Sequence, residues 1–97
     1  MSILDEVLSE EYDRMKKMRV AMKKELDSLP KGYVSKKTIN GKQYSYLQMR
    51  QAGKIVSEFI PDKNVETIEK QIDKRNQLKI SIKEIDKNIK KIERVQR

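Results

Sequence analysis

The sequence predicts an α+β fold in which a long helix, a three-stranded antiparallel β-meander and a second long helix follow one another. Apolar residues recur every three or four positions at both ends of the chain, which is the spacing of one helix face. Between these segments, residues 33–60 alternate in a period of two around two glycine turns, which is typical of hairpins. With 97 residues, the chain (1–97) is expected to form a single domain with a small core.

The first helix is predicted over residues 2–29. Ser2 suits the N-cap, Asp5 and Glu6 suit the first turn, and Pro30 and Gly32 stop the helix. An apolar stripe at helical spacing comprises Leu4, Leu8, Tyr12, Met15, Met18, Met22, Leu26 and Leu29. A stripe of this length needs a partner helix. Its methionines are typical of core packing, with a docking groove as the alternative.

The second helix is predicted over residues 62–97, with Asp62 or Asn64 as its cap. An a/d heptad pattern runs through Leu78, Ile82, Ile85, Ile89 and Ile92. Upstream, Val65, Ile68 and Ile72 follow a register shifted by about one residue, which predicts a stutter or slight bend near Arg75. The two helices are expected to pack as an antiparallel coiled-coil-like hairpin, and any uncovered apolar surface would allow a homodimer.

The middle segment predicts strands over residues 33–39, 42–50 and 54–60. Asn40-Gly41 is a strong signal for a two-residue type I′ turn, because both central positions of that turn need positive φ. Gln51-Ala52-Gly53 suits a three-residue loop with Gly53 in the left-handed position. The sequence therefore predicts a meander of two consecutive hairpins.

These turns predict which side chains share a face of the sheet. The first hairpin would pair Lys37 with Tyr44, and the second would pair Arg50 with Lys54 and Tyr46 with Glu58. The face expected to pack on the helices holds Val34, Leu47, Met49, Ile55 and Phe59. The opposite face, the candidate binding site, is expected to hold Tyr33, Lys37, Lys42, Tyr44, Tyr46, Arg50 and Lys54, with Glu58 as its one acid.

Composition excludes several classes of site. The chain has no cysteine and no histidine, which removes thiol nucleophiles, histidine acid–base catalysis and Cys/His metal sites. Neither Gly41-Lys42 nor Gly53-Lys54 belongs to a phosphate-binding loop motif. We therefore expect a protein that is not an enzyme and has no cofactor. Because no segment approaches the roughly 18 apolar residues of a membrane span, we expect no membrane partner and a location in the bacterial cytoplasm.

The net charge of +8 is unevenly distributed along the chain. Residues 1–29 carry a net −1, residues 30–60 a net +5 and residues 61–97 a net +4. Positive charge concentrated on a short segment indicates an anionic partner such as nucleic acid (DNA or RNA), a nucleotide or an acidic protein surface. The alternative is that the charge only keeps the protein soluble and that the Tyr/Lys alternation is an ordinary solvated sheet face.

The segment LPKGYVSKKTINGKQYSYLQMRQAGKIVSEFI, Leu29 to Ile60, resembles a pattern in small uncharacterised proteins of bacteria, phages and mobile elements. The meander also resembles the three-stranded arm-binding domain of tyrosine integrases and the amino-terminal sheet of some transposases. That resemblance implies a DNA-contacting role for Lys37, Tyr44, Tyr46, Arg50 and Lys54. Small basic proteins of phages and mobile elements also include inhibitors of host defence, such as anti-CRISPR proteins.

Three hypotheses follow from the sequence. The first is a phage or mobile-element protein that binds nucleic acid through a basic, Tyr-rich sheet face. The second is an inhibitor that binds a host nucleic-acid-binding protein, such as a defence nuclease, or its nucleic-acid channel. The third is a structural coiled-coil adaptor.

Overall fold

A computed structural model describes residues 3–95 of the chain. Its elements are α1 (Ile3–Ser28), β1 (Tyr33–Ile39), β2 (Lys42–Gln51), β3 (Lys54–Ile60) and α2 (Asp62–Val95). The predicted α+β fold class and element order are confirmed. The cap predicted at Ser2 and the last two residues of the predicted second helix lie outside the described residues.

The described chain divides into two compact units, and α2 contributes to both. The helical unit combines α1 with the part of α2 that begins at Gln77. The sheet unit is formed by Leu29–Asn76 and contains the three strands and the start of α2. The division of α2 falls next to Arg75, where its apolar pattern changes register.

The helical unit is an antiparallel hairpin. The Tyr12 hydroxyl donates to the Glu93 carboxylate at 3.3 Å, and the Arg19 guanidinium pairs with the Asp86 carboxylate. A forward step along α1 from Tyr12 to Arg19 thus corresponds to a backward step along α2, as antiparallel packing requires.

Isoleucines at the predicted heptad positions form the core of this hairpin. Ile82, Ile85, Ile89 and Ile92 are buried, and Leu78 at the start of the pattern is half-buried. On α1, Met15 and Met22 are half-buried, whereas Met18 is exposed. The predicted a/d seam of α2 is therefore confirmed, and the methionine stripe covers it only in part.

The chain leaves α1 through a tight connection. The Ser28 hydroxyl donates to the Glu25 carbonyl at 2.6 Å and caps the last turn. Gly32 then adopts a φ of +107° beside β2, where an added Cβ would lie 2.1 Å from the Gln48 carbonyl oxygen. Only glycine fits this position, because both the φ and the approach to the Gln48 backbone exclude a side chain.

The sheet has the order β1-β2-β3, and both pairs of neighbouring strands are antiparallel. The first hairpin has the predicted register, with Lys37 opposite Tyr44 and Ile39 opposite Lys42. One side of the sheet carries the buried residues Ser45, Leu47 and Ile60. The start of α2 lies on this side, since Lys36 pairs with Glu69 at 3.9 Å and Val34 lines a cavity with Ile72.

The second hairpin differs from the prediction by one residue. Its loop is the two-residue turn Ala52-Gly53, with φ values of 50° and 79°, so Gln51 pairs with Lys54. The predicted three-residue loop was wrong. That prediction placed only Gly53 in the left-handed region, because a non-glycine residue enters this region at a cost, but Ala52 adopts it as well. Since side chains alternate along a strand, the one-residue shift places every side chain of β3 on the opposite side of the sheet.

Replacing Gly32 is expected to destabilise the sheet unit strongly. Gly32→Ala introduces both backbone strain and a clash with the Gln48 carbonyl, whereas Gly41→Ala, at φ +79° in open space, introduces strain alone. We expect Gly41→Ala to cost about 1–2 kcal/mol of unfolding free energy. Gly32→Ala should cost about 2 kcal/mol more than that. Urea unfolding of both variants measures the difference, and equal losses would contradict the predicted clash.

Two isoleucines of α2 provide a second test, because they differ in burial but not in chemistry. Ile82 is 8% exposed and Ile80 is 63% exposed. Ile82→Ala should lower the unfolding free energy by about 2 kcal/mol or more, because it leaves a cavity in the hairpin seam. Ile80→Ala should change it by less than about 0.5 kcal/mol. Thermal unfolding followed by circular dichroism compares them, and similar losses would contradict the assigned seam.

Candidate functional site

The side of the sheet opposite Leu47 and Ile60 forms a continuous surface, which we call the aromatic face. The observed pairing of the strands defines its members. They are Tyr33, Ser35, Lys37 and Ile39 of β1, Lys42, Tyr44, Tyr46, Gln48 and Arg50 of β2, and Ile55, Ser57 and Phe59 of β3. All three strands therefore contribute to one surface.

Three aromatic rings meet in the middle of the aromatic face. The Phe59 ring lies 5.9 Å from the Tyr46 ring in an edge-on arrangement and 6.4 Å from the Tyr44 ring, measured between centroids. The Lys37 ammonium lies 5.3 Å from the centre of the Tyr46 ring, a cation–π contact. Phe59 contacts both tyrosines, so the three rings present one apolar area rather than three separate side chains.

Large apolar side chains on this face stay exposed to solvent. Phe59 is 53% exposed, Ile55 64% and Ile39 48%, and Tyr33 is also exposed. Ile39 and Ile55 lie toward opposite ends of the face, and the contiguous part is formed by Phe59 with the two tyrosines. Exposed apolar area of this kind among polar residues is typical of a binding site. The opposite side of the sheet differs, since it buries Leu47 and Ile60.

The charge of the aromatic face has one sign. Among the described residues of this face, the charged side chains are Lys37, Lys42 and Arg50, and none is acidic. The acid that the sequence analysis assigned to this surface, Glu58, pairs with Leu47 and lies on the other side. Because Lys54 and Glu58 both lie on the other side, the face keeps the predicted net charge of +3 but carries it without an acid.

Six of the seven predicted site residues lie together on the aromatic face: Tyr33, Lys37, Lys42, Tyr44, Tyr46 and Arg50. The seventh, Lys54, was placed wrongly, because it pairs with Gln51 and lies on the opposite side. Ile55 and Phe59, predicted to face the helices, lie instead beside the tyrosines. All three errors have the same cause, the length of the second turn.

A shallow cavity marks the end of the aromatic face next to Gly32. Its volume is about 320 Å³, and it is lined by Gly32, Tyr33, Gln48, Met49, Arg50 and Ile55. The close approach of Gly32 to β2 forms one wall. The cavity combines an aromatic ring, an amide and a guanidinium, which can contact a flat polar group from its face and its edge.

The helical unit holds a second polar cluster, in which most of the charged groups already have a partner. A cavity of about 410 Å³ is lined by residues that include Lys16, Arg19, Asp86 and Glu93. Arg19 pairs with Asp86, Glu93 accepts from Tyr12, and the Lys16 ammonium lies 4.9 Å from the Tyr12 ring centre. These contacts join α1 to α2, so the cluster is explained by helix packing.

The described part of the chain holds neither a carboxylate cluster for a metal ion nor a membrane-spanning helix. Residues 3–95 contain no group of three or more acidic side chains placed to hold a metal ion. Within the same residues, neither helix has a stretch long and apolar enough to cross a membrane. The aromatic face is therefore the candidate functional site.

Comparison with known proteins identifies the family. Searches of curated proteins and of solved structures gave no significant match. Residues 6–70, well over half of the chain, match the domain of unknown function DUF6788. The matched segment includes the whole sheet, with most of α1 and the start of α2. The chain therefore belongs to the DUF6788 family.

Proposed function

We propose that the protein binds nucleic acid through the aromatic face. The observation that carries this proposal is the combination, on one exposed surface, of three aromatic rings in contact and three cations without an acid. Cations neutralise phosphates, and aromatic rings stack on bases. A surface that offers both, with no carboxylate among its described members, suits a nucleic acid.

The positions of the cations support binding along the strand direction. Lys37 and Lys42 lie near the Asn40-Gly41 turn, and Arg50 lies near the other end of β2. At about 3.4 Å per residue, Lys42 and Arg50 are separated by roughly 27 Å along the strand. A nucleic-acid backbone that follows β2 would meet positive charge at both ends and the aromatic rings between them.

Two lysines in matched positions test the role of the face. Lys42 and Lys54 each begin a strand directly after a two-residue turn, but they lie on opposite sides of the sheet. We expect Lys42→Gln to weaken binding of a short fluorescent oligonucleotide and to reduce the slope of log K against log salt by about 0.7–0.9. Lys54→Gln should leave that slope nearly unchanged.

Fluorescence anisotropy at several salt concentrations makes this comparison. If both variants lose the same amount, the charge acts as a diffuse field and the aromatic face is not the binding site. If the unmodified protein binds neither DNA nor RNA at low salt, in single-stranded or duplex form, the proposed function is wrong.

A protein partner is the second candidate, and the exposed side chains of Ile39, Ile55 and Phe59 favour it. An inhibitor of a host defence nuclease, of the anti-CRISPR kind, would use such a surface to contact the nuclease or cover its nucleic-acid channel. Pull-down from bacterial lysate with and without nuclease treatment distinguishes the candidates. A stoichiometric protein that survives nuclease treatment and is lost with Ile55→Asp would favour this candidate over the first.

A further inference from the structure

We infer that the ligand of the aromatic face is single-stranded nucleic acid, whose unpaired bases stack on Phe59, Tyr44 and Tyr46. This inference deepens the proposed function and rests on it. It depends on the observed register, which brings Phe59 into contact with the two tyrosines.

The side chain of Phe59 indicates a ligand with a flat apolar surface. This side chain has no polar atom, yet it is 53% exposed on a surface whose charged members are all cations. A phenyl ring offers nothing to a phosphate oxygen, and it is stabilised only when an apolar or aromatic surface covers it. Within a nucleic acid, that surface is the flat face of a base.

The flat faces of bases are accessible in an unpaired strand but not in a duplex. In a duplex, the faces of the bases are stacked on one another, so a protein surface meets phosphates, sugars and base edges. Proteins that stack aromatic side chains on bases accordingly bind unpaired strands. A duplex laid on the aromatic face would leave the Phe59, Tyr44 and Tyr46 rings against sugar and phosphate, whereas an unpaired strand can cover them.

The three rings lie close together along and across the strands. Tyr44 and Tyr46 are two residues apart on β2, roughly 7 Å along the strand, and Phe59 pairs with Tyr46 from the neighbouring strand. Because the rings are tilted to one another by 56° and 69°, each provides its own position for one of several neighbouring, splayed bases. The Lys37 ammonium, now over the Tyr46 ring, is exposed and lies within reach of the backbone of a strand bound there.

The cavity near Gly32 provides a further base position at the Arg50 end. Its volume of about 320 Å³ is open to the aromatic face, with Tyr33 and Ile55 as apolar walls. Gln48 and Arg50, which also line it, carry the amide and guanidinium groups that pair with base edges. An unpaired base offers its Watson–Crick edge to these groups as well.

An abasic oligonucleotide gives the sharpest test, because it keeps the charge of the strand and removes the bases. We would compare a single-stranded DNA of about 12 nucleotides, its duplex and an abasic strand of the same length by fluorescence anisotropy at one fixed salt concentration. Stacking of one or more bases predicts that the single strand binds about 5- to 100-fold more tightly than the abasic strand. It also predicts tighter binding than to the duplex.

Substitution of Phe59 tests the same inference from the protein side. Phe59→Leu keeps an apolar side chain in β3 but removes the flat ring on which a base can stack. It should weaken binding of the single strand about 5-fold or more. It should not change binding of the abasic strand. Phe59→Tyr keeps the ring and should retain the affinity. Thermal unfolding of both variants shows that any loss is not a loss of fold.

The outcomes separate the inference from the proposed function. If the abasic strand or the duplex binds as tightly as the single strand, nucleic-acid binding stands but stacking of unpaired bases is wrong. If Phe59→Leu, while folded, binds the single strand as well as the unmodified protein does, Phe59 is not a stacking residue and the inference is also wrong. If none of the three ligands binds at low salt, the proposed function itself is wrong.

Discussion

The positive φ of Ala52 determines which side chains of β3 accompany the tyrosines on the aromatic face. At a φ of 50°, Ala52 joins Gly53 in a two-residue turn, and Gln51 pairs with Lys54. A loop one residue longer would turn Phe59 and Ile55 toward the helix-facing side and bring Glu58 beside Tyr46. The contact of three rings and the absence of an acid on that face both depend on this turn. Ala52 accepts a backbone conformation that costs an L-residue about 1–2 kcal/mol, so the surrounding strand pairing must offset that cost.

The two sides of the sheet differ in how much they contribute to stability. The side with Leu47 and Ile60 is buried and faces the start of α2, to which Lys36 contributes an ion pair with Glu69. That ion pair is 3.9 Å long and both side chains are about half exposed, so burial of Leu47 and Ile60 contributes more. The aromatic face carries no comparable burial. The side chains of the aromatic face can therefore vary with little effect on the stability of the fold.

Much of the fold follows from the sequence, because the strongest local signals agree with one another. Asn40-Gly41 predicts the first turn, and the resulting register places Lys37 opposite Tyr44 as observed. The heptad pattern from Leu78 onward predicts the buried isoleucines of α2. The shift of that pattern near Arg75 falls next to the boundary between the two compact units, while α2 itself continues without interruption.

The side on which β3 places its residues could not be predicted from its composition. In KIVSEFI, Ile55 and Phe59 share one side with Ser57, whereas Val56 and Ile60 share the other side with the charged residues Lys54 and Glu58. The hydrophobic pattern that normally selects a register therefore favours burial of Ile55 and Phe59, which is not the side that is buried. The length of the turn sets the register of β3 instead, and local propensity favours a loop in which glycine alone takes positive φ. Phe59 and Ile55 were missed as site residues for this reason, and treating Ala52-Gly53 as a two-residue turn would have found them.

Sheet stability alone does not account for the composition of the aromatic face. Tyr46 and Phe59 are direct cross-strand partners, and an aromatic pair of this kind stabilises a sheet by about 0.2–1 kcal/mol. That contribution explains why two rings are adjacent, and the Lys37 contact with Tyr46 adds to it. It does not explain why Ile55 remains 64% exposed. It also does not explain why every charge among the described residues of the face is positive, since an acid opposite Lys37 or Lys42 would stabilise the sheet further. A surface that forgoes this stabilisation and leaves apolar area in water is suited to an anionic ligand with flat apolar parts.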